Sequence, residues 1–264
     1  MHFKIIDVWK DDLKNEMARI RSIVEDYPFI SMDTEFPGVI ARPLGTFKSQ
    51  SSFNYQQLRC NIDLLNIIQI GMTFSKGSDE IYPIIFQFNF FFDLDKDMYS
   101  QESLDLLVKA EIDFDKHKSH GIDKEDFGEI LITSGVVMNP NVTFITFHSL
   151  YDFGYLSKVI LNNPMPQNEN QFYEYLKALF PNFYDIKLLV IGTSYHKKGL
   201  QDLSEAFGVK RIGTAHQAGS DSLITCQCFW ALREKMYENI IDEDKFKNKL
   251  FGLEQKKIVN KIYI

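Results

Sequence analysis

Acidic side chains in three separated segments of the sequence are spaced to hold something positively charged. In Ile30-Ser31-Met32-Asp33-Thr34-Glu35-Phe36, two carboxylates stand at i and i+2 within a run that reads as a strand. The two-residue period of a strand puts Asp33 and Glu35 on one face and Thr34 on the other. Carboxylates that close raise each other's pKa and are costly to desolvate unless a cation lies between them. An isolated pair of this kind equally suits a solvent-facing strand end, here just before Pro37-Gly38. Alone, the pair decides nothing.

The second acid, Asp152, falls where Val142 to His148, β-branched and aromatic, gives way to a helical pattern. By itself it reads as a helix N-cap, worth on the order of 1 kcal/mol, a job Ser149 can share. The same position is the C-terminal end of a strand, where α/β sheets open their ligand crevice. The third segment, Gly213 to Ser222, places His216 shortly before Asp221 at the opening of the last long helix. Histidine suits proton transfer because free imidazole titrates near neutrality, at about 6.5. Beside a metal-binding Asp it can accept a proton from an attacking water. Taken together, Asp33, Glu35, Asp152 and Asp221 with His216 have the composition of a two-metal phosphoryl-transfer site. An oxygen-rich ligand set favours two divalent ions of the Mg²⁺ or Mn²⁺ kind over Zn²⁺.

The elements that must position these groups alternate between strand-like and helix-like. Met1 to Asp26 carries apolar residues at helical spacing (Val8, Leu13, Met17, Ile20, Ile23). Phe29 to Phe36, Asn66 to Phe74, Ile81 to Phe88, Val142 to His148 and Asp185 to Ile191 read as strands. Ser103 to Lys116, Gly121 to Thr133, Asp152 to Asn162, Leu200 to Phe207 and Ser222 to Ile241 read as helices. No Pro/Gly/Ser-rich linker or internal repeat interrupts the alternation, so the expectation is one α/β domain with a mixed central sheet flanked by helices.

Composition bounds the rest. The chain has 264 residues, 45% of them hydrophobic, with a formal charge of −7. That acidity argues against a broad basic groove for sequence-blind binding to DNA or anionic membranes. No run is long enough to span a bilayer, and no secretory leader is visible at the N-terminus. Cys60, Cys226 and Cys228 have no framework spacing and read as free thiols of a reducing compartment. Phe86, Phe88, Phe90, Phe91 and Phe92 could offer a base-stacking surface, but such runs are mostly core. Asp93-x-Asp95-x-Asp97 begins like a calcium loop and fails, with Met98 and Leu104 where Gly and Glu are required.

The catalytic set, in this order, resembles the DEDD superfamily of 3′-to-5′ exonucleases, which has an RNase H-like fold. The spacing His216-x4-Asp221 matches its histidine-bearing subclass. Longer runs resemble the Caf/Pop-type poly(A) deadenylases, the exonuclease subunits of the Ccr–Not complex. They are Met32 to Gly38 with Ala41-Arg42-Pro43, Leu58 to Leu65 with Ile67 to Gly71, and Gln87 to Phe90. Thr133 to Val137, Tyr151 to Leu156 and His216 to Leu223 complete them. The likeness runs from about Val8 to Gly252, with a variable tail after about residue 252 in a single domain 1–264. It implies that Asp33 bridges both ions, that Glu35 and Asp221 complete the nucleophile-side ion, that Asp152 serves the other, and that His216 is the general base. It further implies removal of 3′-terminal adenosines from mRNA as 5′-AMP, in cytoplasm and nucleus. The implied partners are the poly(A) tail, a Not scaffold subunit, a Ccr-type second deadenylase and antiproliferative adaptors, without membrane or DNA. Phe36 and Ser149 are groove candidates by adjacency to the ligands. Leu150 stands where the family has Gly before the Tyr of the second motif, so it is expected to touch the RNA path or to pack inward. The alternatives are another histidine-type exonuclease and a non-catalytic adaptor that docks a scaffold.

Overall fold

The structure, a computed structural model, describes residues 2–78 and 80–253; most of the tail expected to vary lies outside them. The chain opens with β1 (Lys4–Val8) and α1 (Leu13–Ile23), then β2 (Phe29–Glu35), α2 (Gln50–Leu64), β3 (Gln69–Ser75) and β4 (Ile84–Asn89). Next come α3 (Gln101–Lys109), α4 (Phe114–His120), α5 (Lys124–Ile132), β5 (Thr143–Thr146), α6 (Leu150–Leu161) and α7 (Glu169–Leu179). The last elements are β6 (Phe183–Asp185), α8 (Ile186–Leu189), α9 (Leu200–Phe207), α10 (Ala218–Tyr237) and α11 (Glu243–Phe246). Among the described residues no helix is long and apolar enough to cross a membrane.

A six-stranded mixed sheet, ordered β1-β4-β3-β2-β5-β6, carries helices on both faces. β2 lies at its centre, antiparallel to β3 and parallel to β5. Ile30 and Met32 of β2 point with Ile70, Met72 and Phe74 of β3 into a core shared with α1, α2, α5, α6 and α7. The alternate residues face α10, whose Ser222 bonds Thr73 and whose Trp230 bonds Ser75. α10 is buried on nearly every side from Ala218 to Leu232 because it lies between the sheet and α9. Gly71 makes the close crossing possible: a Cβ there would come 1.9 Å from the Ala218 carbonyl oxygen.

Three expected elements differ. The N-terminal helix is confined to Leu13–Ile23, and Lys4–Val8 is instead an edge strand beside β4. Its β-branched residues fit the pleat better than a helix. The helix expected over 103–116 is two, broken where Glu111 takes φ +66° and Asp113 caps α4 through the Lys116 amide. The strand expected at Asp185 to Ile191 ends at Asp185 and turns into α8, because the Asp185 carboxylate accepts the Lys187 amide and caps that turn. In the phenylalanine run, Phe86, Phe88, Phe90 and Phe92 are buried and Phe91 is exposed. The aspartate run closes on Lys118, which pairs with Asp93 at 2.9 Å and Asp95 at 2.7 Å.

Candidate active site

At the C-terminal end of β2, Asp33 and Glu35 emerge on the α10 face and Thr34 on the opposite one. From α10, Asp221 reaches toward the two strand acids. Glu35, His216 and Asp221 offer ligand atoms that all lie within 4.8 Å of one another. His216 sits in the turn before α10 at φ +62°, a conformation that costs a non-glycine residue energy and is held here by its own amide, which donates to Asp221 Oδ2 at 3.0 Å. Asp152 comes from α6 on the other side of the sheet, and the Thr34 hydroxyl donates to its Oδ1 at 2.7 Å. Ser149 occupies the cap position of α6, and Asp152 lies inside the first turn. The cap reading of Asp152 therefore does not hold.

The electrostatics are those of acids waiting for a cation. Burial pushes the Asp33 carboxyl well above its usual range, with repulsion from Asp152, Asp221 and Glu35 adding to it. Glu35 rises for the same reasons, burial first and then Asp221 and Asp152. Asp152 is pushed up to about 7 by burial, against the pull of the Thr34 hydrogen bond. Among the described residues the opposing charge comes from Arg211, which lowers both Asp33 and Glu35. Its guanidinium pairs with Asp221 Oδ1 and donates to the Ser220 hydroxyl at 2.8 Å and Gln201 Oε1 at 2.9 Å. A cavity of about 700 Å³ opens over these groups, lined by Asp33, Glu35, Phe147, Arg211, His216 and Asp221 among others. That volume is ample for a nucleotide. The donor set suits divalent ions with hard oxygen ligands, since one fixed guanidinium leaves several buried carboxylates uncompensated.

The groove candidates fare differently. Phe36 is half-buried and stacks on Tyr151, ring centroids 5.0 Å apart at 13°. Ser149 is not on a groove: it is 0% exposed, receives the Thr146 hydroxyl at 2.6 Å and donates its amide to Asp185. Leu150 points away from the acids, at 7% exposure, into the core beneath the sheet. Its side chain fills interior volume, and the place taken by a family Gly is not a wall of the cavity.

Sequence reasoning missed Arg211 and Asp185. Asp185 is fully buried, and among the described residues no lysine or arginine pairs with it. It accepts the amides of His148 at 2.8 Å, Lys187 at 3.0 Å and Phe251 at 3.0 Å, with a longer contact from Ser149. Burial raises its carboxyl and those amides pull it back down. It holds the turn that delivers Asp152, including His148 at φ +59°. The signal for it was the Asp directly before a short apolar run, which fits a cap as well as a strand end.

Sheet order, flanking helices and an acid cluster at a strand end define a nuclease domain of the RNase H-like exonuclease class. Escherichia coli exonuclease I, in complex with a dT13 oligonucleotide, shares that fold at a TM-score of 0.55 and 11% identity, over 80% of this chain and 42% of that one. The relationship is much closer to another group. Residues 8–126 and 135–229 match the model of the CAF1 family ribonucleases, and the chain belongs to that family. It is 48% identical over 251 residues to poly(A) ribonuclease pop2 of Schizosaccharomyces pombe, covering 94% of this chain and 75% of the relative. It is 44% identical over 240 residues to CCR4-NOT transcription complex subunit 7 of Caenorhabditis elegans, covering 89% and 77%. Its fold matches the Mg²⁺- and Mn²⁺-bound structure of S. pombe Pop2p at a TM-score of 0.92 and 47% identity, over 94% of this chain and 99% of that one. A yeast CAF1 co-crystallized with the NOT1 MIF4G domain matches at 0.78 and 32%, covering 94% and 96%.

Proposed function

We propose that this ribonuclease is a poly(A)-specific 3′-to-5′ exonuclease that releases 5′-AMP, working with two Mg²⁺ or Mn²⁺ ions. The observation that carries the reading is the convergence of Glu35, His216 and Asp221 within 4.8 Å, beside Asp33, which repels Glu35 and Asp221, and Asp152, which repels Glu35. The metal-bound Pop2p and the name of the S. pombe relative support the same conclusion.

Asp33, Glu35 and Asp221 would hold one ion between β2 and α10, and Asp33 with Asp152 the other. When bound, the ions supply positive charge for the scissile phosphate and make water a stronger nucleophile. His216, exposed at the mouth of the site, would take the proton of the attacking water. Water bonds to phosphorus as the bond to the 3′-oxygen breaks, and that oxygen leaves with a proton from solvent. Arg211 lies at the cavity wall, where a guanidinium favours phosphate oxygens. The stacked Phe36 and Tyr151, adjacent in sequence to Glu35 and Asp152, offer an aromatic face for an unstacked base. Likeness to a CAF1 bound to NOT1 and to a CCR4-NOT subunit supports docking on a Not scaffold. A Ccr-type nuclease and antiproliferative adaptors are further partners on this reading, in cytoplasm and nucleus.

The test compares RNA with a 3′ oligo(A) tail against oligo(U), single-stranded DNA, and the same tail followed by a run of non-adenosine residues. A poly(A)-specific 3′ exonuclease shortens the first stepwise to 5′-AMP and stalls on the last. Equal rates on all four, or products cut internally, would sink the assignment.

A further inference from the structure

Two glutamines in the family-like runs Ile67 to Gly71 and Gln87 to Phe90 have no part in the acid cluster, yet both grip the element that carries its third segment. α10 starts without help from its own cap residue, since the Gln217 side chain bonds none of the first helical amides. The sheet receives them instead. The Ala218 amide donates to Gln69 Oε1 at 3.2 Å and the Gly219 amide to Gln87 Oε1 at 2.9 Å. With both oxygens engaged, both NH₂ groups turn to Gln217 Oε1, at 3.0 and 2.9 Å. Gln69 is further tied to Asn89 and Gln87 to Asp7, each at 2.8 Å, and Gln217 donates to the Ala110 carbonyl. Gln69 and Gln87 are 2% and 5% exposed, so most of each side chain is shielded from water.

Sheet register gives the arrangement its purpose. Glu35 pairs directly with Gln69, and Asp33 with Gly71, which in turn pairs with Gln87. The neighbours of the two strand acids are therefore the residues that hold the end of α10 and allow its close approach. Gln217 lies between His216 and that helix, and its carbonyl accepts the Asp221 amide at 3.0 Å. We infer that Gln69 and Gln87 are positioning residues of the reaction, setting His216 and Asp221 against Asp33 and Glu35. This rests on the proposed catalytic role of those four. Only an amide side chain satisfies both sides of the network, because the oxygen must accept from the helix while the nitrogen donates to Gln217. Glutamate would set oxygen against oxygen, and methionine would leave helix amides unbonded in the interior.

The experiment compares Gln69→Met, Gln87→Met and Gln87→Glu with Thr73→Val. The last removes a buried bond between the strand of Gln69 and the same helix, beyond the helix end. Mn²⁺ affinity by titration calorimetry, kcat and KM on oligo(A), thermal stability, and amide exchange at Ala218–Asp221 are read for each. The glutamine variants are expected to lose about 10- to 100-fold in Mn²⁺ affinity and kcat, with KM within about threefold. Exchange at the helix start should speed up. Thr73→Val should lose comparable stability while its Mn²⁺ affinity and kcat stay within about twofold. Glutamine variants that lose only what Thr73→Val loses would overturn the inference. If a Gln87 variant does not fold, Gln217→Leu replaces it from the solvent side of the network, and wild-type Mn²⁺ affinity in Gln217→Leu and Gln69→Met overturns it equally. If the wild type hydrolyses no RNA, the functional reading fails, while Mn²⁺ affinity and exchange still decide the positioning role.

Discussion

Removing one charge from the acid cluster should stabilise the metal-free protein, by an amount that depends on pH. In Asp152→Asn the amide oxygen can still accept the Thr34 hydroxyl, so the change is chiefly electrostatic. The Asp152 carboxyl moves from 3.8 to about 7 on folding. At about 1.4 kcal/mol per pH unit, ionising it in the folded state costs about 4 kcal/mol. Between those values the folded chain holds a proton that the unfolded chain has released, so stability falls as pH rises through the window. Asp33 and Glu35, shifted in the same direction, steepen the fall. In a chelator, Asp152→Asn should match the wild type near pH 4 and exceed it near pH 8 by up to about 4 kcal/mol, on the order of 10 °C in melting temperature. Saturating Mg²⁺ or Mn²⁺ should reduce that advantage, because bound cations stabilise the folded wild type, with all four acids, more than the variant, which keeps only Asp33, Glu35 and Asp221. Urea unfolding across pH, with chelator and with metal, measures both effects. A gain that is absent at high pH, or constant across the range, would refute the reasoning.

Three further outcomes follow from particular contacts. Leu150→Gly should lower stability by about 3 kcal/mol through loss of a buried side chain, without raising deadenylation, as chemical denaturation and oligo(A) kinetics will show. Asp185→Ala leaves the amides of His148, Lys187 and Phe251 without their buried acceptor; a cost of about 3–5 kcal/mol is expected in chemical denaturation, with weakened metal binding through displaced Asp152. RNA affinity should collapse in chelator and show a shallow salt dependence with metal, because two divalent ions bring the formal charge from −7 to −3 and concentrate the positive charge in the cavity. Fluorescence anisotropy against salt concentration, using non-hydrolysable oligo(A), reads that slope.

The proposed catalytic residues were legible because each obeys a local rule. Asp33 and Glu35 share a face through strand period, and His216 and Asp221 sit at a helix start whose apolar stripe is long. Asp152 was legible only in combination, since a strand-to-helix junction fits a cap as well as a ligand, and its partner Thr34 lies 118 residues away in sequence. β1 was read as helix because Val8 happens to continue the spacing of α1, while its pairing with β4 crosses most of the first third of the chain. Ser149 was read as a groove residue from adjacency to a ligand, but a helix turns successive side chains by about 100° and sends them to different surroundings; of the two places open to Leu150, its side chain takes the inward one. Arg211, Gln69 and Gln87 act through contacts between distant segments, and no spacing within a segment marks them.

The central claim is that Asp33, Glu35, Asp152 and Asp221 hold metal ions that hydrolyse the 3′ end of poly(A). Shortening of 5′-labelled oligo(A) RNA, by the wild type and by Asp33→Ala in the presence of Mg²⁺ or Mn²⁺, tests it most directly. The account predicts stepwise shortening by the wild type, abolished by chelator, and a loss of at least about 10³-fold in Asp33→Ala with its fold retained. Equal activity in the two proteins, or shortening that persists in chelator, would contradict it.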